Sequence, residues 1–342
     1  GNRTHSANVL LPAAWLSGDI VITAQVALPG DLADAQPADN RLVRALSFVR
    51  VPRLMLAVMP ILHIDSDGYG TFPAPATFDF PASVQAMFPV PSLAIRKRAP
   101  YTFVGALDLQ GEWVRLLNET IDVALADGAP FAEIYLAQVA DIPWSPYLGL
   151  ASLWQRAAVT VDTGLVPAHE LGHTFGRLHA PCGSPGGPDP DYPYANATIG
   201  QYGWDTRTGR VHQPADHDIM SYCEQWISDY TYLGMMQDQI LKGDPAAVRT
   251  SAAGESLVLI QADVSDGSNV HILPVYTVQT SKRADNSRSD ESGDYSIAFV
   301  DAQGATLSEY PVQSEELEER GLSARLISAL LPYSIALGIG WT

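Results

Sequence analysis

The spacing of apolar residues predicts three helices before residue 245. Apolar side chains recur every three or four positions in 111–127 and fall on one helical face. They are Trp113, Leu116, Leu117, Ile121 and Ala124. A second helix is predicted over 165–176, where Pro167 is tolerated because the N–H of a first-turn residue has no helical partner. A third is expected after Ser228, a favoured N-cap residue. Its apolar face would hold Leu233, Met236, Ile240 and Leu241.

Apolar runs and alternating segments predict strands on both sides of these helices. The earlier ones are expected over 19–26, 53–59 (ended by Pro60), 131–139 and 149–161. Beyond residue 245, alternating segments separated by Gly, Asn, Asp and Ser are typical of a β-sandwich. These segments are 256–264, 269–280, 295–301 and 306–312. We therefore expect an α+β protein in three parts.

The first part, 1–47, is interpreted as a β lead-in or the end of a preceding β domain. The second, 48–247, contains the predicted helices and a mixed set of strands. The third, 248–342, is expected to be an all-β, sandwich-like domain, with the boundary near 244–252 after Gly243-Asp-Pro245.

Composition and charge exclude several classes of protein. Because the 342 residues are 46% hydrophobic and 17% charged, the chain is globular, with room for about two domains. Because 38 Asp and Glu outnumber 20 Lys and Arg, the net charge of −18 repels phosphate backbones and anionic lipids. We therefore expect no nucleic acid partner. No apolar run approaches the roughly 18–20 residues of a membrane span, and we expect neither a span nor a leader in this chain.

The segment 169–179 contains a histidine pattern with metal-binding geometry. It reads His-Glu-Leu-Gly-His-Thr-Phe-Gly-Arg-Leu-His. A helix places His169 and His173 one turn apart on nearly one face, so that both imidazoles can bind one ion. Gly176 can adopt a positive φ and end the helix, so that His179 approaches from another direction. Three neutral nitrogens with an open fourth position are typical of a catalytic zinc site.

Glu170 supplies the second part of this pattern. It is rotated by about 100° from His169, so it can reach a water molecule at the open position without binding the metal. There it would act as a general base and later protonate the leaving amine. The alternative is a set of ordinary histidines on an amphipathic helix. Since Gly176 and His179 reduce the odds of a chance match about 500-fold, we favour the metal site.

With these residues in place, the sequence resembles the metzincin zinc endopeptidases, whose signature H-E-x-x-H-x-x-G-x-x-H is followed by a methionine turn. Met220, in 218–222, matches the methionine. The resemblance covers about 50–245 and implies a mixed, twisted sheet of about five strands backed by the helix over 111–127. It also implies that 149–161 is an antiparallel edge strand, which binds a protein or glycoprotein substrate in extended form.

The resemblance implies roles for two residues of the turn. Met220 would lie beneath the three imidazoles as an apolar floor; an ordinary core methionine is the alternative. Tyr222 matches a tyrosine that in some metzincins binds zinc or donates a hydrogen bond to the oxyanion, and a buried structural tyrosine is its alternative. The subfamily is unassigned, with faint similarity to bacterial secreted mucin-cleaving proteins at 203–205 and to pappalysin-like proteins at 220–222.

The chain has two cysteines, Cys182 and Cys223. In metzincins the segments that carry them meet at the zinc, so the resemblance implies a Cys182–Cys223 disulfide; two separate buried thiols are the alternative. A disulfide is typical of an oxidising compartment, and we therefore expect a secreted or cell-surface protein.

A second metal has weaker support. Asp65-Ser-Asp-Gly68 resembles the beginning of a calcium loop, but the later ligands of such a loop are absent. A plain turn is the favoured interpretation, and calcium is a cofactor that the sequence leaves open.

The leading hypothesis is a secreted endopeptidase with one catalytic Zn²⁺, which hydrolyses extracellular proteins. The alternative is a surface adhesin or glycan-binding protein, in which the domain over 248–342 has the main role and the zinc site is secondary.

Overall fold

The computed structural model describes residues 11–25, 36, 40–130, 132–145, 147–151, 153, 156–237, 255–264, 270–272, 276–280, 295–300, 303, 305–312, 314–319 and 322–332. Over these residues the fold is mixed α and β, broadly α+β as predicted, with four helices and a mixed multi-stranded sheet. The chain divides into two compact units, Gly1–Val51 and Pro52–Thr342. The predicted boundary near 244–252 lies outside the described residues, and the three-part division stays a prediction.

The first unit contains an antiparallel hairpin of β1 (Gly18–Gln25) and β2 (Arg41–Phe48). The strand predicted over 19–26 corresponds to β1. Strand β2 was not predicted from the sequence, because Arg41 and Arg44 interrupt the alternation of polar and apolar positions.

The second unit begins with the elements that carry the candidate site. In chain order they are β3 (Leu54–Ile64), β4 (Thr71–Phe72), α1 (Pro81–Met87), β5 (Leu93–Lys97), β6 (Tyr101–Val104), α2 (Gln110–Ala126), β7 (Glu133–Val139), β8 (Gly149–Ala151), β9 (Ala157–Val161), α3 (Val166–Thr174), β10 (Gly203–Trp204), β11 (Val211–His212) and α4 (Asp229–Met235).

Seven of these strands form one mixed sheet, with the order β4-β3-β7-β9-β8 and with β5 and β6 also paired to β3. The strands β5, β6 and β7 run parallel to β3, and β9 runs parallel to β7, whereas β4 and β8 are antiparallel to their neighbours. The single edge strand predicted over 149–161 is two strands. Only β8 lies at the antiparallel edge, and β9 pairs on both sides.

The sequence predicts that the strand over 53–59 ends at Pro60. In the structure β3 instead continues through Pro60 to Ile64. Two strands pair with the same side of β3, one after the other. Strand β5 pairs with β3 as far as Val58, and β6 pairs with it from Ile61 onwards. Pro60 therefore lies where β3 exchanges one partner for the next, and its missing N–H is tolerated there.

Helix α2 packs against the sheet through the face that the periodicity predicts. All five predicted apolar residues of 111–127 are buried. The indole N–H of Trp113 donates to the carbonyl of Leu107 at 2.7 Å, so the largest side chain of this core has its polar atom paired.

Helix α4 begins at the predicted cap, because Ser228 Oγ accepts the N–H of Thr231 at 3.0 Å. Its buried residues are Thr231 and Met235, whereas Leu233 is 56% exposed. The prediction that Leu233 lies on the buried face was therefore wrong. The buried residues are two positions before it and two positions after it. Ile240 and Leu241 lie outside the described residues.

The rest of the second unit is β structure. Its strands are β12 (Glu255–Asp263), β13 (His271–Ile272), β14 (Tyr276–Thr280), β15 (Tyr295–Val300), β16 (Thr306–Val312), β17 (Ser314–Glu319) and β18 (Leu322–Pro332). Five of them form an antiparallel sheet around β12 and β18, and β15 and β16 form a hairpin. Ile260 packs against apolar residues of that hairpin, including Ile297 and Tyr310. Strands β17 and β18 were not predicted from the sequence.

In the part of the chain that the structure describes, no helix is both long enough and apolar enough to cross a bilayer.

Candidate metal centre

Helix α3 carries the first two histidines and ends where the sequence predicts. The N–H of Gly176 donates to the carbonyl of His173 at 2.7 Å, and the N–H of Arg177 donates to the carbonyl of Gly172 at 3.2 Å. With Gly176 at a φ of 71°, this is a Schellman motif, which requires a left-handed residue at this position. The chain therefore turns sharply after α3 and returns His179 towards the helix.

The three histidines converge on one point. One ligand nitrogen from each of His169, His173 and His179 lies within 4.8 Å of the other two. The ring centroids are 4.7–5.3 Å apart, and each residue is at most 3% exposed. A buried group of three imidazoles is a site that can hold a metal ion, as the spacing predicted.

Each imidazole is oriented by a backbone carbonyl. The Nδ1 atoms of His169, His173 and His179 lie 2.7, 2.6 and 2.8 Å from the carbonyl oxygens of Ile219, Arg177 and Gly186. A carbonyl only accepts, so in the neutral rings each Nδ1 carries the proton. The lone pair is then on Nε2 of every ring, as is common for metal-binding histidines.

The distance between two of these nitrogens fits a shared metal ion. The Nε2 atoms of His169 and His173 are 3.2 Å apart. A tetrahedral zinc ion with Zn–N bonds of about 2.0–2.1 Å separates its ligand nitrogens by about 3.3 Å. Two lone pairs that face each other at this distance repel, and a cation between them removes the repulsion. The residues present therefore fit a metal ion.

Glu170 follows the first histidine and is buried, with 2% exposure. Its carboxylate packs against Gly149, the first residue of the edge strand β8. A Cβ built on Gly149 would overlap Oε1 and lie 2.6 Å from both Cγ and Cδ. The absence of a side chain at Gly149 therefore makes the space that the carboxylate occupies between α3 and the edge of the sheet.

The turn 218–222 joins the segments of the first and third histidines. The carbonyl of Ile219 orients His169, and the carbonyl of Met220 accepts the N–H of Ala180 at 2.9 Å. The Met220 side chain packs under α3, where a Cβ on Gly172 would overlap its sulfur and lie 3.1 Å from its Cε. Met220 is 1% exposed and lies against the helix that carries two of the imidazoles.

Asp218 braces this turn from a fully buried position. Its Oδ1 accepts the N–H of Met220 at 2.7 Å, and its Oδ2 accepts the N–H of Ser228 at 2.8 Å. One carboxylate thus connects the turn to the N-cap of α4, and it fixes the carbonyl groups that face the histidine segments.

Tyr222 lies beside the imidazoles. Its ring centroid is 5.2 Å from that of His179 and 6.1 Å from that of His169, and the residue is half-buried. Its N–H donates to the carbonyl of Cys182 at 3.0 Å. The structure therefore places a phenol next to the candidate metal centre.

The predicted disulfide between Cys182 and Cys223 is confirmed, with the two Cα atoms 5.8 Å apart. It links the segment after the third histidine to the residue after Tyr222. The segment between the cysteines is mostly irregular, and ring contacts stabilise it, among them the stack of His212 on Trp226 with centroids 4.1 Å apart.

A cluster that was not predicted from the sequence supports His173. The guanidinium of Arg177 lies over the Tyr230 ring at 4.8 Å, and the Tyr230 hydroxyl donates to Asp189 Oδ2 at 2.9 Å. Burial raises the pKa of Tyr230, and Asp189 acts in the same direction, so this hydroxyl keeps its proton. The cluster holds the residue whose carbonyl orients His173. No local signal marks it, because the three residues are far apart in the sequence.

Two glycines were also missed, and one of them carried a signal. Gly172 lies inside a helix, where glycine costs about 1 kcal/mol relative to alanine. A helical glycine next to a candidate metal ligand therefore indicates a close approach by another segment, here that of Met220. Gly149 gave no such signal, since glycine also occurs at the ends of strands.

The segment that resembles the beginning of a calcium loop forms a turn, which is the interpretation favoured from the sequence. Asp65 Oδ1 accepts the N–H groups of Asp67 and Tyr69 at 2.9 and 3.2 Å. Among the described residues, Asp65 belongs to no group of three or more side chains that could hold a metal ion.

Comparisons of the chain with protein-family models, with curated proteins and with solved structures found no match.

Proposed function

We propose that this protein is a zinc-dependent endopeptidase of the metzincin type. One observation carries the proposal: three buried imidazoles bring one ring nitrogen each within 4.8 Å of the other two, and Glu170 is the neighbour of the first of them. This is the donor set of a catalytic zinc site, with three protein ligands and a fourth position left for water or substrate.

We assign zinc to this site on coordination geometry. Imidazole suits zinc as it suits copper, iron and nickel, and the separation of the His169 and His173 nitrogens fits the tetrahedral coordination of zinc. When bound, a zinc ion supplies a Lewis acid that polarises a carbonyl group and activates a water molecule.

Glu170 acts as the general base. Its carboxylate takes a proton from the attacking water and later gives it to the nitrogen of the leaving amine. The backbone of Gly149 packs against the carboxylate and holds it in place. Because Glu170 is buried, bulk water does not compete for its carboxylate. A base held in this way loses little free energy to reorganisation during the reaction.

Tyr222 stabilises the negative charge that develops on the substrate. In this proposal its hydroxyl donates a hydrogen bond to the former carbonyl oxygen after attack. The adjacent backbone bond to Cys182 and the disulfide at Cys223 fix the position of the residue. A preorganised donor of this kind typically contributes about 10²–10³ in kcat.

The substrate is a protein or glycoprotein segment in extended form. Strand β8 lies at the edge of the sheet and its first residue touches Glu170, so a segment that adds to this edge brings a peptide bond to the metal centre. Pairing through the backbone selects for peptides without selecting a side chain.

The finer fold and the location belong to the same proposal. The sheet, α2 and α3 would form a metzincin-like catalytic domain, and the strands from β12 onwards a β-sandwich-like domain. The disulfide favours an oxidising compartment, and we propose a secreted or cell-surface protein.

The test compares Glu170→Ala and Glu170→Gln with the parent in cleavage of casein, together with zinc content by mass spectrometry. Both variants should retain about one zinc per chain and lose cleavage by at least about 10³-fold. Glu309→Ala, at an exposed position of β16, is the matched control and should cleave like the parent. A Glu170 variant that cleaves casein as fast as the parent would overturn the proposal.

A further inference from the structure

A second group of metal-binding side chains lies in the segment that follows the histidine triad. A ring nitrogen of His217 and the Sγ atoms of Cys182 and Cys223 lie within 4.8 Å of one another. All three residues are half-buried, so small molecules can reach them. In the disulfide the sulfur atoms are not metal ligands, since it is the thiolate that binds metal ions.

Backbone hydrogen bonds keep the two cysteines close together without help from the disulfide. The N–H of Tyr222, the residue before Cys223, donates to the carbonyl of Cys182 at 3.0 Å. The N–H of Cys223 donates to Ser221 Oγ at 3.2 Å, and the buried Asp218 braces the same turn. Breaking the S–S bond therefore leaves the two cysteine backbones near their present positions, with the Cα atoms 5.8 Å apart in the disulfide. Rotation of the two side chains then separates the sulfur atoms to the roughly 3.8 Å that two Zn–S bonds of about 2.3 Å in a tetrahedral site require.

His217 is oriented for the same group. Gln225 Oε1 lies 2.9 Å from both the backbone N and the ring Nδ1 of His217. The amide oxygen accepts at both places, so Nδ1 carries the proton and Nε2 holds the lone pair. In addition, the carbonyl of His217 accepts the N–H groups of Gln225 and Trp226 at 3.1 and 3.0 Å, which fixes the backbone of this residue. A second partner that fixes the tautomer is typical of metal-binding histidines.

We propose that Cys182, His217 and Cys223 form a second zinc site when the disulfide is reduced. This inference goes beyond the proposed peptidase function and does not rest on it. Two thiolates and one imidazole leave one of four positions for water, as in a Cys₂His site. The ion replaces the covalent link between the segment after His179 and the segment after Tyr222.

Formation of this site requires a reductant that opens the Cys182–Cys223 disulfide. In this proposal the natural reductant is a dithiol. One thiolate of the dithiol attacks a sulfur of the disulfide, and its second thiol resolves the mixed disulfide. Two electrons pass to the protein sulfurs, which end as two thiols, while the dithiol becomes a cyclic disulfide. Binding of Zn²⁺ then displaces the two thiol protons, so that metal binding weakens as the pH falls.

The experiment titrates the full chain with Co²⁺ and with Zn²⁺ before and after reduction by tris(2-carboxyethyl)phosphine. This phosphine becomes its oxide with oxygen from water, and the two hydrogens of that water complete the two thiols. Cobalt reports the ligands, because thiolate ligands give a near-ultraviolet charge-transfer band that an all-imidazole site lacks.

We expect the oxidised chain to bind one Zn²⁺ without a thiolate band in the cobalt form, and the reduced chain to bind two with the band. The variant C182A/C223A should bind one ion under both conditions. His217→Ala should keep the first ion and bind the second at least 10-fold more weakly.

Two results would overturn the inference. One is a reduced parent chain that remains folded by circular dichroism but gains neither a second ion nor a thiolate band. The other is a chain that unfolds on reduction, since the site needs the turn to persist. The thiolate band separates this inference from the proposed peptidase: loss of the histidine site would remove the first ion and leave the band.

Discussion

Gly149 and Glu170 touch across the gap between the edge strand β8 and helix α3, and the carboxylate occupies the space that a Cβ on Gly149 would fill. The two residues are distant in sequence, and neither could take its position if the other were larger. The contact connects the edge of the sheet, where we propose that the substrate binds, to the group that we propose as the base.

We therefore predict that Gly149→Ala displaces the Glu170 carboxylate. A misplacement of about 1 Å in a reacting group can cost about 10²-fold, so kcat/KM for a peptide substrate should fall 10- to 100-fold. Zinc content should be unchanged, because the three atoms nearest to the added Cβ all belong to Glu170 and not to a histidine. Gly111→Ala is the matched control: Gly111 lies in α2, where an added Cβ would meet no atom within 4 Å, and the activity of this variant should equal that of the parent. Full activity of Gly149→Ala would contradict the proposed role of the contact.

Tyr222→Phe tests the proposed oxyanion donor. Removal of the hydroxyl should lower kcat by about 10²-fold, leave KM within a few-fold and keep the zinc, because the phenyl ring still packs beside His179. Steady-state kinetics with a fluorogenic peptide separates the two constants. A variant that changes KM alone, or that loses zinc, would instead assign Tyr222 to substrate binding or to the metal.

The close approach of Gly172 and Met220 predicts a strong coupling between their substitutions. Gly172→Ala should destabilise by about 1–3 kcal/mol because the new methyl group meets the Met220 sulfur, and Met220→Ala should cost about 2–5 kcal/mol through the cavity it leaves. In the double variant the alanine at 172 occupies part of that cavity. The free energy of unfolding in urea should therefore fall by less than the sum of the two single effects, and simple additivity would contradict the packing.

His212 gives the fold a dependence on pH. Burial lowers the pKa of His212, and the hydrogen bond with Asp216 opposes this without reversing it. Because the folded state resists protonation, the unfolded state binds more protons once the pH falls below about 6.5, and stability decreases towards lower pH.

In His212→Gln this contribution should be absent. We therefore expect the urea stability of the metal-free parent to fall more steeply than that of the variant between about pH 8 and pH 5. The other histidines are common to both proteins, so the difference between the two profiles isolates His212. Parallel profiles would contradict the direction of the pKa shift.

The sequence predicted the features that depend on local spacing. The separation of four residues between His169 and His173 fixes their relation on a helix, and Gly176 determines where that helix ends. The apolar period of 111–127 likewise identified the buried face of α2. In each case the relevant interactions lie within a few turns of the same helix.

Features that depend on distant segments were harder to predict. Pro60 marks a strand end in most contexts, but here it lies where β3 exchanges partners, which only the sheet topology shows. The contact of Gly149 with Glu170 and the proximity of His217 to the two cysteines have no local pattern in the sequence. The pairing of Cys182 with Cys223 was predicted only because the resemblance to a known family brought their segments together.

The most direct test of the proposed metal centre is anomalous diffraction at the zinc edge from crystals of the chain, grown with zinc under oxidising conditions. We predict one strong peak, about 2.0–2.1 Å from the Nε2 atoms of His169, His173 and His179, within reach of the Glu170 carboxylate. A chain in which these three imidazoles surround no anomalous peak, while zinc is bound elsewhere or not at all, would contradict the proposal.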